Sequence, residues 1–140
     1  AAEAHLDVLA PFDDWRGKSP KDIHDAMVVL KLVYASTAAL LAGDAERSLE
    51  RQLIAADADL DADILKVGHH GSKTSTFDEF LRATSPKIAV ISAGRRNRYG
   101  HPTQEVLDRL KSFGIATLRT DQDGDIVFAA DGRSFRRWEE

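Results

Sequence analysis

Two apolar runs of four residues each, 64–67 and 88–91, are separated by a helical-looking stretch at 77–83, and a second such stretch follows Pro102. Runs this short are strand-sized, and their near-continuous apolar character fits strands covered on both faces. Strands alternating with helices are the signature of a parallel sheet linked by crossovers, and so of an α/β fold. This constrains the chemistry as well as the fold. Loops beyond the carboxyl ends of parallel strands collect side chains from distant parts of the chain at one edge.

The rest of the chain fits around that centre. Residues 5–10 alternate as a short strand ended by Pro11, and 12–20 form a polar loop. The runs 27–34 and 37–42, joined only by Ala35-Ser36, predict an antiparallel hairpin. Asp44 is expected to open a helix with Leu49, Leu53 and Ile54 on its buried face. The helix after Pro102 should bury Val106, Leu107 and Leu110 and close at Phe113-Gly114. The tail reads as strands at 115–119, 126–129 and 134–138, joined by Asp123-Gly124 and Asp131-Gly132 turns.

Three strand ends then feed polar loops: Gly43-Asp44 after 42, Gly68-His69-His70-Gly71-Ser72 after 67, and Arg95, Arg96, Asn97, Arg98, Tyr99 and His101 after 91. In a hairpin the start of the first strand lies beside the end of the second, which brings His24-Asp25 next to Asp44. Four of the five histidines should therefore converge.

Composition narrows the chemistry. At 140 residues, 43% hydrophobic and 30% charged, the chain is sized and composed for one globular domain. The longest apolar stretch, 27–43, is broken by Lys31 and Ser36-Thr37, so no membrane segment is expected. A net charge of -4 disfavours a generally basic surface that coats nucleic acid, so any phosphate contact must be local. Without cysteine, a metal can be held only by His, Asp or Glu.

His69-His70 is the sharpest signal: two imidazoles in a glycine-flanked turn suit zinc or manganese. Asp44 reads equally well as an ordinary helix cap or as a carboxylate bridging two ions. His24 and Asp25 are solvated loop residues by default, raised to candidate ligands only by the hairpin geometry. Arg95, Arg96 and Arg98 form a donor cluster matched to phosphate oxygens, against the plainer reading of a solvated loop. Ser72 is grouped with them as a substrate contact. His101, at the lip of the same loop, could donate a proton or bind an oxyanion.

These residues resemble a known family. Asp63-Ile-Leu-Lys-Val-Gly-His-His-Gly-Ser-Lys-Thr-Ser75, Asn97-Arg-Tyr-Gly-His-Pro102, Arg119-Thr-Asp-Gln-Asp-Gly124 and the hairpin from Val28 to Asp44 are similar to the metallo-β-lactamase-like domain of ComEC-type competence proteins. The resemblance runs from about Val8 onward. It implies the C-terminal part of a four-layer αβ/βα fold and a hydrolytic site for one or two divalent ions. Asp44 would be the bridging carboxylate, His69 or His70 the late histidine ligand, and His24-Asp25 a partial match to a further ligand position. The superfamily's His-x-His-x-Asp-His cluster is absent. About three protein ligands remain, the minimum for one catalytic zinc, so the chain is expected to be a fragment, or to have its centre completed by another segment.

The leading expectation is a metal-dependent phosphodiesterase or nuclease acting on DNA in a competence system, with Asp44 and His101 catalytic. The chain would be part of a larger membrane-associated protein, exposed on the outer face of the bacterial membrane. The alternatives are a non-catalytic structural or DNA-contacting module, and a hydrolase of carboxylic esters or lactones.

Overall fold

A computed structural model describes residues 3–138. Strands β1 (Ala4–Ala10), β2 (Val29–Tyr34), β3 (Thr37–Leu41), β4 (Ile64–Lys66), β5 (Ile88–Ile91) and β6 (Ala116–Arg119) form one six-stranded sheet in sequence order. The β1/β2 and β2/β3 pairs are antiparallel, whereas β3 to β6 run parallel. Helices α1 (Arg47–Ala55), α2 (Asp78–Thr84) and α3 (Gln104–Ser112) are the three crossovers. Right-handed crossovers that all advance in one direction put their helices on one face. There Leu49, Leu53, Phe80, Leu81, Val106 and Leu110 pack with Leu40, Leu65, Ala89 and Ile91 of the sheet in one buried cluster.

Among the described residues no helix layer covers the opposite face, yet it is almost as apolar. In-register neighbours share a face, so Leu6, Leu32, Ala39, Ile64 and Ile88 form one row, and Val8, Leu30, Leu41, Lys66 and Val90 the next. Leu6 (57% exposed) and Val8 (68%) stand open to solvent at the β1 end. A separate hairpin, β7 (Val127–Ala130) with β8 (Phe135–Trp138), is fastened to the β2–β3 turn, where Ser36 N and Oγ donate to the Gly132 carbonyl at 3.0 and 2.7 Å. Among the described residues no helix is long and apolar enough to cross a membrane.

The mixed α/β class, the hairpin and the parallel centre agree with the sequence reading. Four details differ. Helix α1 begins at Arg47, so Asp44 lies in a turn ahead of it and does not cap it. Ile54 is 36% exposed because it lies off the i, i+4 stripe of Leu49 and Leu53. The carboxylate of Glu50 lies inside instead, accepting the amides of Thr76 and Phe77 just ahead of α2. Finally, a short helix α4 (Thr120–Asp123) stands where a simple Asp123-Gly124 turn was expected.

Candidate metal centre

The carboxyl ends of β3, β4 and β5 open onto one edge, and four histidines meet there. The rings of His24 and His69 have centroids 4.7 Å apart, His69 and His101 5.8 Å, and His69 and His70 6.4 Å. His69 and His70 both adopt left-handed backbone, with φ of 44° and 54°. Such a conformation costs a non-glycine residue ~1–3 kcal/mol, and it persists only where the surroundings over-determine it.

Those surroundings are visible. A Cβ on Gly68 would stand 2.7 Å from the Ala45 carbonyl oxygen, and one on Gly71 (φ +81°) 2.6 Å from the Pro102 Cβ. The turn is therefore clamped between the Asp44 loop and the His101 loop. The Gly71 carbonyl also accepts from Thr103 N at 2.9 Å and Thr103 Oγ1 at 3.2 Å. Lys66, which the sequence reading passed over, reaches from β4 to the Gly43 carbonyl at 3.2 Å and the Val67 carbonyl at 3.4 Å. Burial lowers its pKa, opposed by the charge of nearby Asp44.

Three imidazoles are anchored in the same way. His24 Nδ1 lies 2.8 Å from Asp22 Oδ1, His69 Nδ1 2.8 Å from Glu46 Oε1, and His70 Nδ1 2.7 Å from the Ser92 carbonyl oxygen. A carbonyl only accepts, and an ionised carboxylate likewise. The ring proton of each neutral imidazole therefore belongs on Nδ1, which leaves the Nε2 lone pair free. Histidines that ligate metals are oriented by this second interaction. The bonds from His24, first through its backbone N and then through Nδ1, hold the Asp22 carboxyl below its usual pKa. Asp44 Oδ1 lies 3.5 Å from His70 Nε2, so a carboxylate faces an imidazole nitrogen, and a proton or a cation between them would satisfy both.

Among the described residues, His24, Glu46 and His69 offer ligand atoms that lie within 4.8 Å of one another. Glu46 Oε1, however, is already engaged by His69 Nδ1 and by Thr74 Oγ1 at 2.6 Å. Geometry thus makes Glu46 the group that orients His69. Imidazole nitrogens with a nearby carboxylate are a donor set that could hold a divalent cation.

His101 stands apart. Its Nδ1 is buried without a hydrogen-bond partner, and burial, then the neighbouring His69 and His70, lower its pKa.

The structure thus brings together His24, Asp44, His69, His70 and His101. Asp25 is not in the group; Asp22, readable beforehand as an Asx turn onto His24, occupies the position next to that ring. Ser72 is 6% exposed, and its hydroxyl pairs with Thr74 Oγ1 at 2.8 Å inside the turn. Arg95, Arg96 and Arg98 are exposed in the loop after β5. Asn97 braces that loop, donating to the carbonyls of Gly94 (3.0 Å) and His101 (2.7 Å) and accepting from His101 N at 3.0 Å.

No family model matches the chain. It is 42% identical over 126 residues to ComE operon protein 3 of Bacillus subtilis, which covers 90% of this chain and 16% of that protein. It is 39% identical over 120 residues to Competence protein ComA of Neisseria gonorrhoeae (84% and 17%), and 41% over 87 residues to Recombination protein 2 of Haemophilus influenzae (62% and 11%). The chain therefore spans about a sixth of the length of the first two.

Proposed function

We propose, from its kinship to one segment of competence proteins, that this chain serves a DNA-uptake system as part of a metal-dependent phosphodiesterase of the metallo-β-lactamase type. One observation carries the reading: three imidazoles, each tethered through Nδ1, present free Nε2 atoms at the edge where Asp44 lies. His24 with His69, and His70 with Asp44, would supply ligands for one or two ions. A bound divalent ion would supply Lewis acidity and make water a nucleophile near neutral pH. Glu46 and Asp22 orient the rings. Arg95, Arg96 and Arg98 would hold the phosphate, which disfavours a carboxylic ester or lactone as substrate.

The helix-free apolar face supports the finer fold assignment. Open rows such as Leu6–Leu32 and Val8–Leu30 are what a second sheet in a four-layer αβ/βα arrangement would cover.

The test combines metal titration with hydrolysis of DNA, a simple phosphodiester and a carboxylic ester, each with zinc or manganese. We expect weak metal uptake by the chain alone and phosphodiester cleavage that stops on chelation. Alanine at the three arginines should weaken DNA binding at constant metal content, by a factor that shrinks as salt rises. Cleavage that survives chelation, or faster cleavage of the ester, would sink the proposal. A second reading, a non-catalytic DNA-contacting module, is favoured by the engagement of Glu46 Oε1 within the protein; DNA binding without turnover at saturating metal would select it.

A further inference from the structure

Beside the histidines lies a cavity of about 260 Å³ lined by His70, Ser92, Ala93, Gly94, Asn97, Tyr99 and His101. It is distinct from a larger cavity of about 450 Å³ at the amino ends of the parallel strands, where Asp59, Asp63, Lys31 and Lys87 already satisfy one another. The smaller cavity falls below the ~300–1,000 Å³ usual for whole drug-sized ligands, and so suits one flat ring. Its walls are mostly apolar, and it opens directly beside the candidate metal centre through His70 and His101.

Tyr99 is the anomaly. The residue is 83% exposed, its ring is near parallel to His101 (19°) with centroids 6.1 Å apart, and the Asn97 bonds hold the loop that presents it. An aromatic ring left this open gains nothing for the fold. Arg95, Arg96 and Arg98 interleave with Asn97 and Tyr99, and among the described residues' ion pairs none involves these three guanidinium groups. Free cations that alternate with an exposed aromatic beside a flat-ring cavity match a polyanion whose bases are unstacked.

Resting on the phosphodiesterase reading and extending it to a substrate class, we infer that this cavity takes one unpaired nucleobase, stacked on Tyr99, while the flanking arginines hold the backbone. A base inside a duplex cannot enter it. The site therefore selects single strands or frayed ends and seats the phosphate next to that base beside His70 and His101.

The test is binding at low salt in EDTA, so that no metal chemistry contributes. The probes are a short oligothymidylate, the same strand made abasic, and a duplex of equal length. The base-bearing strand should bind more tightly than the other two. Tyr99→Ala and removal of the bases should each weaken binding on the order of tenfold, with Tyr99→Phe restoring it. Equal affinity for base-bearing and abasic strands, wild-type binding by Tyr99→Ala, or no binding of the single strand would overturn the inference. Metal-dependent cleavage alongside equal affinities would remove the base site alone. Base-dependent binding without cleavage at saturating metal would remove the hydrolase reading alone.

Discussion

Replacing Glu50 by Gln should make the stability difference from wild type change sign with pH. Glu50 is 1% exposed, and its oxygens accept the amides of Thr76 and Phe77. Burial raises its pKa to about 7 from the usual 4.5, outweighing those two bonds and the charge of Arg109, which act to lower it. The sign follows from linkage. Below pH 4.5 the group is protonated both folded and unfolded, and the fold carries no charge penalty. Between the two values folding takes up a proton, and above about 7 the buried charge is fully present, so stability is lost as pH rises. At ~1.4 kcal/mol per unit, the interval is on the order of 3 kcal/mol. Gln keeps one acceptor but turns an NH₂ toward the other amide, which costs about 1–3 kcal/mol at every pH. The variant should therefore be less stable than wild type at pH 5 and equal or more stable at pH 8.5. Urea midpoints at each pH would measure this, with a relative displacement of about 1–3 M for slopes of ~1–3 kcal/mol/M. Carboxylates whose pKa is lowered, such as Asp22 and Asp131, titrate alike in both proteins and cancel. A difference that stays constant from pH 4.5 to 8.5 would refute the reasoning.

Gly71→Ala should destabilise by about 2 kcal/mol or more, because φ +81° and the 2.6 Å approach to Pro102 both penalise a Cβ; thermal melting at wild-type values would contradict the clamp. Glu46→Gln should weaken zinc or manganese affinity by about 10–100-fold while far-UV circular dichroism stays native, since Glu46 orients His69; unchanged calorimetric affinity would remove that role. Lys31→Met should fall within about 1 kcal/mol of wild type: its partner Asp59, at 2.7 Å, is 77% exposed and regains water when the lysine is lost. A loss beyond about 3 kcal/mol would show that the ion pair organises the α1–β4 connection.

Strand positions were legible because the central strands are apolar on both faces although helices cover only one: residues 88–91 read from sequence are β5, and the two-residue link Ala35-Ser36 marks the β2–β3 hairpin. The hairpin also brought His24 to the Asp44 edge on topology alone. What stayed hidden depends on single turns of backbone. Placing the start of α1 three residues early made Asp44 look like a cap and concealed Glu46 as the partner of His69. The burial of Glu50 stayed hidden because nothing local reveals that two amides ahead of α2 need an acceptor. Helix α4, Thr-Asp-Gln-Asp, has no apolar periodicity to announce it. The pairing of Ser72 with Thr74 within the turn was likewise not visible in the sequence.

The place of β1 at the end of the sheet has a practical side. An edge strand offers a free row of backbone donors and acceptors, which a second chain can use as a template. Here that edge adjoins Leu6 and Val8, both more than half exposed, and the bulge between Val8 and Ala10 blunts only its far end. The chain should therefore self-associate as its concentration rises. A single Val8→Lys change at the open face would do more for its solubility than any change near the histidines.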